Sequence, residues 1–155
     1  MARHEKRVVA QFEERRVNTF LPLMREIHRW SDRRVAVEVP VFSCYAFVRI
    51  VPTVEERIKV LRTPGVLAFV GSEGQGTPIP EDQIESIRLA TSGNVLCFPH
   101  AFLNAGTCVR IRGGALEGME GILVQTGKDQ SLVVSVELLQ RSIAIRVEGY
   151  DVELV

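Results

Sequence analysis

Val109-Arg-Ile-Arg-Gly-Gly-Ala-Leu-Glu-Gly-Met-Glu-Gly-Ile-Leu123 reads as a strand, a glycine-bearing turn and the start of a second strand. The spacing predicts strands at 107–112, 120–126, 131–136, 142–147 and 150–154. Turn residues separate them at Gly113-Gly114, Gly127-Lys-Asp-Gln130 and Glu148-Gly149. Five short strands in so few residues must curl to cover their own core, and a small five-stranded β-barrel is the economical solution.

Upstream the pattern changes. All seven prolines lie at or before Pro99, and seven of the twelve glycines lie between Gly106 and Gly149. The composition therefore breaks near residue 100. The stretch 90–100 has turn residues at its start and no helical period, so 91–103 reads as a linker between domains 1–90 and 104–155.

In the first half, elements alternate. Val8, Val9 and Phe12 among charged positions predict an amphipathic helix over 3–16. Residues 19–24 are extended. Val35, Val37 and Val39 keep a period of two, and Trp30-Ser-Asp-Arg33 is a turn candidate, so 24–40 reads as a hairpin. The run 42–51 is strongly β-like. Thr53 with Glu56 three positions on is a capping box opening a short helix. Residues 66–70 read as a strand ended by Gly71, and 80–89 as a helix with acids in its first turn. The expected fold class is α+β, an N-terminal antiparallel sheet with packed helices followed by the barrel.

The bulk numbers narrow the function. The chain is 46% hydrophobic and 25% charged, the profile of a globular protein. No apolar run approaches the roughly 20 residues needed to span a bilayer, and the first residues carry no secretory apolar segment, so no membrane partner and a cytoplasmic location are expected. Nineteen basic residues balance nineteen acidic ones, which argues against attachment to nucleic acid by bulk charge. The distribution is uneven. Residues 1–40 hold nine basic and six acidic side chains, and residues 91–155 hold five and seven. A nucleic-acid-facing front and a protein-facing back fit that polarity. Cys44, Cys97 and Cys108 are too far apart to form a zinc motif and read as reduced, partly buried thiols. His4, His28 and His100 have no nucleophile in any known arrangement, and Gly71-Ser-Glu-Gly-Gln-Gly76 lacks the lysine of a P-loop. Neither a catalytic site nor a cofactor nor a metal is expected.

The 109–123 segment resembles a KOW motif, in which Gly121 holds the glycine position of the second strand; there, crowding or positive φ would exclude a β-carbon. Arg3-His-Glu-Lys-Arg-Val8, Thr19-Phe-Leu-Pro22, Val39-Pro-Val-Phe42, Tyr45-Ala-Phe-Val48, Arg62-Thr-Pro-Gly-Val66, Phe69-Val-Gly71 and Pro78-Ile-Pro80 resemble, in order, the signature stretches of the NusG N-terminal domain. Together they cover nearly the whole chain. Two departures stand out. The family's usual opening strand, resembling Trp-Tyr-x-Val-x-Thr, has no counterpart before Arg3, so the first domain is expected to expose sheet edges. The family's Phe-Pro-Gly-Tyr appears as Phe42-Ser-Cys-Tyr45, which points to a specialised paralogue.

The resemblance implies a transcription elongation and antitermination factor. Phe42, Tyr45 and Phe47 would form the aromatic patch on the β′ clamp helices of RNA polymerase, and Glu56 and Arg57 would face the β subunit's gate loop. The plain alternative is that these aromatics pack under the helices. Arg3, His4, Lys6, Arg7, Arg25, Arg29, Trp30, Arg33 and Arg34 would lie along DNA near the transcription bubble, with Trp30 stacking on a base; a solvated, charge-paired face is the alternative. In the second domain, adjacent Leu138 and Leu139 cannot both face one core if extended, so one should be exposed. With Gln140 and Arg141 they occupy the loop that in this family binds a small-subunit ribosomal protein or the termination factor Rho. A monomer whose barrel swings on the linker is expected. The competing class is a ribosome-associated KOW protein binding structured RNA, which predicts a strongly basic barrel.

Overall fold

The computed structural model describes residues 4–29, 32–92, 95–103, 105–126 and 129–155. The chain divides into two compact units, Met1–Gly76 and Thr77–Val155.

The first unit opens with α1 (His4–Glu14), then β1 (Asn18–Phe20), β2 (Leu23–Arg29), β3 (Arg34–Pro40), β4 (Phe47–Arg49) and α2 (Val54–Leu61). Val8 and Phe12, one turn apart on α1, meet Val17 and Val60 in a buried cluster, with Val48, Ile50, Val66 and Phe69 packed against it. Thr53 caps α2 by accepting the Glu56 N–H at 3.3 Å. The reciprocal half of the capping box is not formed, because the Thr53 N–H is taken by the Val51 carbonyl at 2.7 Å.

The strands make two separate antiparallel pairs, β1 with β4 and β2 with β3. Two expected strands are corrected. The β-like run 42–51 is strand only at Phe47–Arg49, because Cys44 sits at φ +72° and turns the chain just before it. Residues 66–70 are not a strand. The Val66 N–H closes a turn onto the Thr63 carbonyl at 3.1 Å, and Leu67 is 98% exposed. An extended apolar run becomes a strand only beside a ladder partner, and no strand among the described residues pairs with it.

The second unit contains α3 (Glu81–Ser92) and six strands: β5 (Cys97–His100), β6 (Cys108–Arg112), β7 (Glu120–Thr126), β8 (Asp129–Val136), β9 (Arg141–Arg146) and β10 (Asp151–Leu154). All pairings are antiparallel, in the order β10-β6-β7-β8-β9-β5. In a flat sheet, β9 and β10 would lie four spacings apart, roughly 19 Å. The connection from Arg146 to Asp151 reaches about that far only when fully extended. It instead makes a turn, with the Tyr150 N–H on the Val147 carbonyl at 3.1 Å. The sheet therefore has to curl, as a KOW-like barrel does.

One face of this sheet buries Val109, Ile111, Leu132, Val134, Val136, Ile143 and Ile145. Gly121 lies opposite Val109 on β6. A β-carbon on Gly121 would meet the Val133 carbonyl at 2.6 Å, so crowding rather than positive φ demands glycine there. The other face carries Cys108, Ile122, Val133, Ser135, Ser142 and Ala144. α3 packs against β8 on this unit and is tied to it where Gln83 Oε1 accepts the Glu137 N–H at 3.2 Å.

The linker expectation is also corrected. Within 91–103, β5 extends the sheet by pairing with β9, which gives six strands instead of five. Pro99 fits there because an outer strand needs no donor on its free side. The backbone of Leu103 is held by Ser135 and Ser142. The described residues of this stretch fall within the second unit.

Candidate functional site

The aromatic candidates of the first unit form a cluster. Phe20 and Phe47 are cross-strand partners on β1 and β4, with ring centroids 6.0 Å apart at 29°. Phe42 meets Phe47 edge-on at 6.1 Å and 81°. Phe42 is 4% exposed, so it supports the cluster from beneath. Phe47 is half-buried and supplies the reachable ring area of the cluster; Tyr45, also half-buried, is held beside it through its N–H on the Phe42 carbonyl at 3.2 Å. Phe20 was not singled out in the sequence, although its stretch Thr19-Phe-Leu-Pro22 was.

The turn that presents Tyr45 is fixed from α1. Glu5, near the start of that helix, is 7% exposed, and its Oε1 accepts the Cys44 N–H at 2.7 Å. Burial pushes the Glu5 pKa up, but the hydrogen bonds from the Cys44 N–H and from its own backbone, with nearby His4, together bring it below its ordinary 4.5. Glu5 is the positioning residue that the sequence reading missed. Its signal there is faint: an acid in the first turn of a helix is ordinarily a solvated cap.

Glu56 and Arg57 both lie in the first turn of α2. Glu56 pairs with Lys59 at 3.6 Å. Arg57 donates to Gln75 Oε1 at 3.4 Å, tying α2 to the 72–76 loop.

The basic candidates sit on two elements. His4, Lys6 and Arg7 are exposed on α1, and Arg25, Arg29, Arg33 and Arg34 are exposed on or beside the β2–β3 hairpin. Arg3 and Trp30 lie outside the described residues. The register puts Arg25 opposite Glu38, Ile27 opposite Ala36, and Arg29 opposite Arg34. That hairpin face therefore carries Arg25, Arg29, Arg34 and Glu38 around Ile27, which is 72% exposed. Like charges placed directly opposite each other destabilise a strand pair. The hairpin keeps that arrangement at its described end, where Arg29 and Arg34 are cross-strand partners.

In the second unit, residues 137–139 form a 3-10 turn and are not extended. Leu139 is buried at 8% and Leu138 is half-buried. The expectation that one of the two leucines is exposed is not met in full: Leu138 is the more accessible of the pair but only partly so, because the chain there is a 3-10 turn and not an extended strand. Gln140, at φ 51° and ψ 43°, ends that turn, and Arg141 is exposed at the start of β9. Cys44 and Cys108 are exposed and Cys97 half-buried, so two of the three thiols lie further out than expected. Among the described residues no three His, Cys, Asp or Glu side chains could hold a metal ion. No described helix is long and apolar enough to cross a membrane.

A family model described as transcription termination factor nusG matches residues 1–88, more than half of the 155-residue chain. The chain belongs to the NusG family. A transcription termination/antitermination protein NusG from Lactococcus lactis subsp. lactis (strain IL1403) is 27% identical over 161 residues, which cover 90% of this chain and 86% of that protein. A NusG of the same description from Streptococcus pyogenes serotype M3 (strain ATCC BAA-595 / MGAS315) is 36% identical over 87 residues, 54% of this chain and 48% of its own. A solved structure entitled "Domain interaction in Thermotoga maritima NusG" superposes with a TM-score of 0.54 at 20% identity, covering 94% of this chain and 88% of that one. The family is one of transcription termination and antitermination factors, not enzymes. The NusG match takes in the whole first unit and most of α3, so the aromatic cluster and the basic hairpin both lie on NusG-type sequence.

Proposed function

We propose that this NusG-family chain is an elongation and antitermination factor that works by binding alone. Tyr45 and Phe47, backed by Phe42 and Phe20, dock on the β′ clamp helices of RNA polymerase. A half-buried aromatic cluster offers large contact area at small entropy cost. Glu56 and Arg57 face the β subunit, and the hairpin arginines with His4, Lys6 and Arg7 lie along DNA near the bubble. Binding favours the closed, non-paused polymerase and so suppresses pausing by population shift. The KOW unit recruits a small-subunit ribosomal protein or Rho through Leu138, Gln140 and Arg141, with Leu139 buried beneath them as support.

The aromatic cluster carries this reading. Its test is a pull-down with core RNA polymerase, comparing the wild type with Tyr45→Ala/Phe47→Ala at matched circular dichroism. Loss of capture in the double variant is the expected result. Equal capture would discard the aromatic contact.

The competing RNA-binding reading needs free cations on the curled sheet. Arg110 pairs with Glu120 and Arg112 with Glu153, which leaves neither guanidinium free for phosphate.

A further inference from the structure

The second face of the curled sheet, carrying Cys108, Ile122, Val133 and Ser135, is only partly covered. α3 crosses β8, and Phe102 and Leu103 cover part of the rest. Between them lies a groove of about 520 Å³, within the roughly 300–1,000 Å³ of ligand clefts. Its floor is apolar: Leu89, Phe102 and Ile122 are half-buried and Val133 is buried. Its rim is acidic, formed by Asp82 and Glu85 from α3, Glu120 from β7, and Glu137.

Among the described residues no lysine or arginine lines the groove. Glu85 and Glu120 are satisfied sideways by Arg88 and Arg110. Asp82 and Glu137 have no ion pair among the described residues. Carboxylates around an apolar floor repel nucleic acid, whose phosphates need cations. They complement a cationic chain that brings an apolar side chain with it.

We propose that this groove docks a basic peptide segment of a partner protein, its Arg or Lys heads against Asp82 and Glu137 and an apolar side chain on Leu89, Phe102 and Ile122. The groove uses none of the residues 138–141, and the assignment does not depend on the polymerase contact.

The probe is a fluorescein-labelled hexapeptide alternating arginine and leucine, titrated by anisotropy into the full chain. The same peptide with glutamate replacing arginine is the control. Saturable binding of the basic peptide alone is expected. Combined Asp82→Asn/Glu137→Gln should weaken it about fivefold, since each exposed ion pair contributes modestly. Cys108 lines the groove whereas Cys44 belongs to the first unit, and both thiols are exposed. The bound peptide should therefore slow alkylation of Cys108 and leave Cys44 unchanged, as read by peptide-resolved mass spectrometry. This second readout uses unmutated protein, so it decides the matter even if the variant misfolds. Equal slowing at both thiols, no slowing at Cys108, or wild-type affinity in a folded variant would overturn the proposal. So would protection of Cys108 by a U-rich single-stranded RNA of similar length.

Discussion

Ser135 on β8 and Ser142 on β9 are cross-strand partners whose hydroxyl oxygens lie 2.7 Å apart, and between them they hold both backbone polar groups of Leu103. Ser135 donates to the Leu103 carbonyl at 3.0 Å. The Leu103 N–H donates to Ser142 Oγ at 3.3 Å. With the Ser135 proton committed, the Ser142 hydroxyl is left to donate to Ser135, and the ring of hydrogen bonds closes. Two side chains thus do for Leu103 what a neighbouring strand would do.

Ser142 is 3% exposed, so Ser142→Ala leaves the Leu103 N–H without its acceptor in a largely dry place. The expected cost is about 1–2 kcal/mol, concentrated in the 101–103 stretch after β5, here called the strap, and not in the sheet. Hydrogen exchange at the Leu103 amide should accelerate roughly 5- to 30-fold while exchange at Val134 stays put. The double variant with Ser135→Ala should cost less than the sum of the singles, because the two hydroxyls share one bond. An unchanged Leu103 amide would show that the ring holds nothing.

The strap also marks where sequence reading gave out. Strands β6 to β10 fall within two residues of the predicted bounds, because each is a short apolar run punctuated by its own turn. The Thr53 cap was legible for the same reason, whereas Gly121 was legible from the KOW resemblance and its constraint comes from the Val133 carbonyl on the neighbouring strand. Cys97–His100 reads as linker because the 90–100 stretch has turn residues at its start and no helical period. It becomes a strand only through β9 beside it. Residues 66–70 erred in the opposite direction, with the right composition and no partner. Of the candidate site, residue types and stretches were visible in the sequence. The burial of Phe42, the support from Phe20 and the reach of Glu5 to Cys44 across 39 positions depend on tertiary placement that no local pattern encodes.

That reach makes the aromatic turn sensitive to acid. Glu5 has its folded pKa depressed below 4.5, so its ionised form stabilises the fold above its unfolded pKa, and the contribution is lost as pH falls through the folded value. Glu5→Gln should therefore lower the melting temperature at pH 7 and flatten the fall between pH 4.5 and the acid limit. Cys44 is held at φ +72°, where a side chain costs about 1–2 kcal/mol. Cys44→Gly should relieve most of that and raise stability by about 0.5–1 kcal/mol. Melting curves from pH 7 to pH 3.5 check both; parallel wild-type and Glu5→Gln profiles would remove Glu5 from the turn.

The pair Arg29 and Arg34 separates stability from function. If the hairpin were a solvated surface with no partner, two guanidinium groups facing each other would be a cost without return. Arg34→Glu replaces the repulsion with an attractive cross-strand pair and should stabilise the hairpin by about 0.2–1 kcal/mol. The same change places a negative charge where a phosphate is proposed to lie, so association with an elongation complex should weaken. Arg29→Ser removes one cation without adding an anion. It should reduce the slope of log affinity against log salt by about 0.7–0.9 if one phosphate contact is lost. Hydrogen exchange across Glu26 and Val37 reads the first effect, and titration of polymerase complexes carrying a labelled non-template strand reads the second. The two effects must run in opposite directions for Arg34→Glu. A variant that gains hairpin protection and keeps its full affinity for the complex would make the arginine pair a plain surface feature and detach the hairpin from DNA.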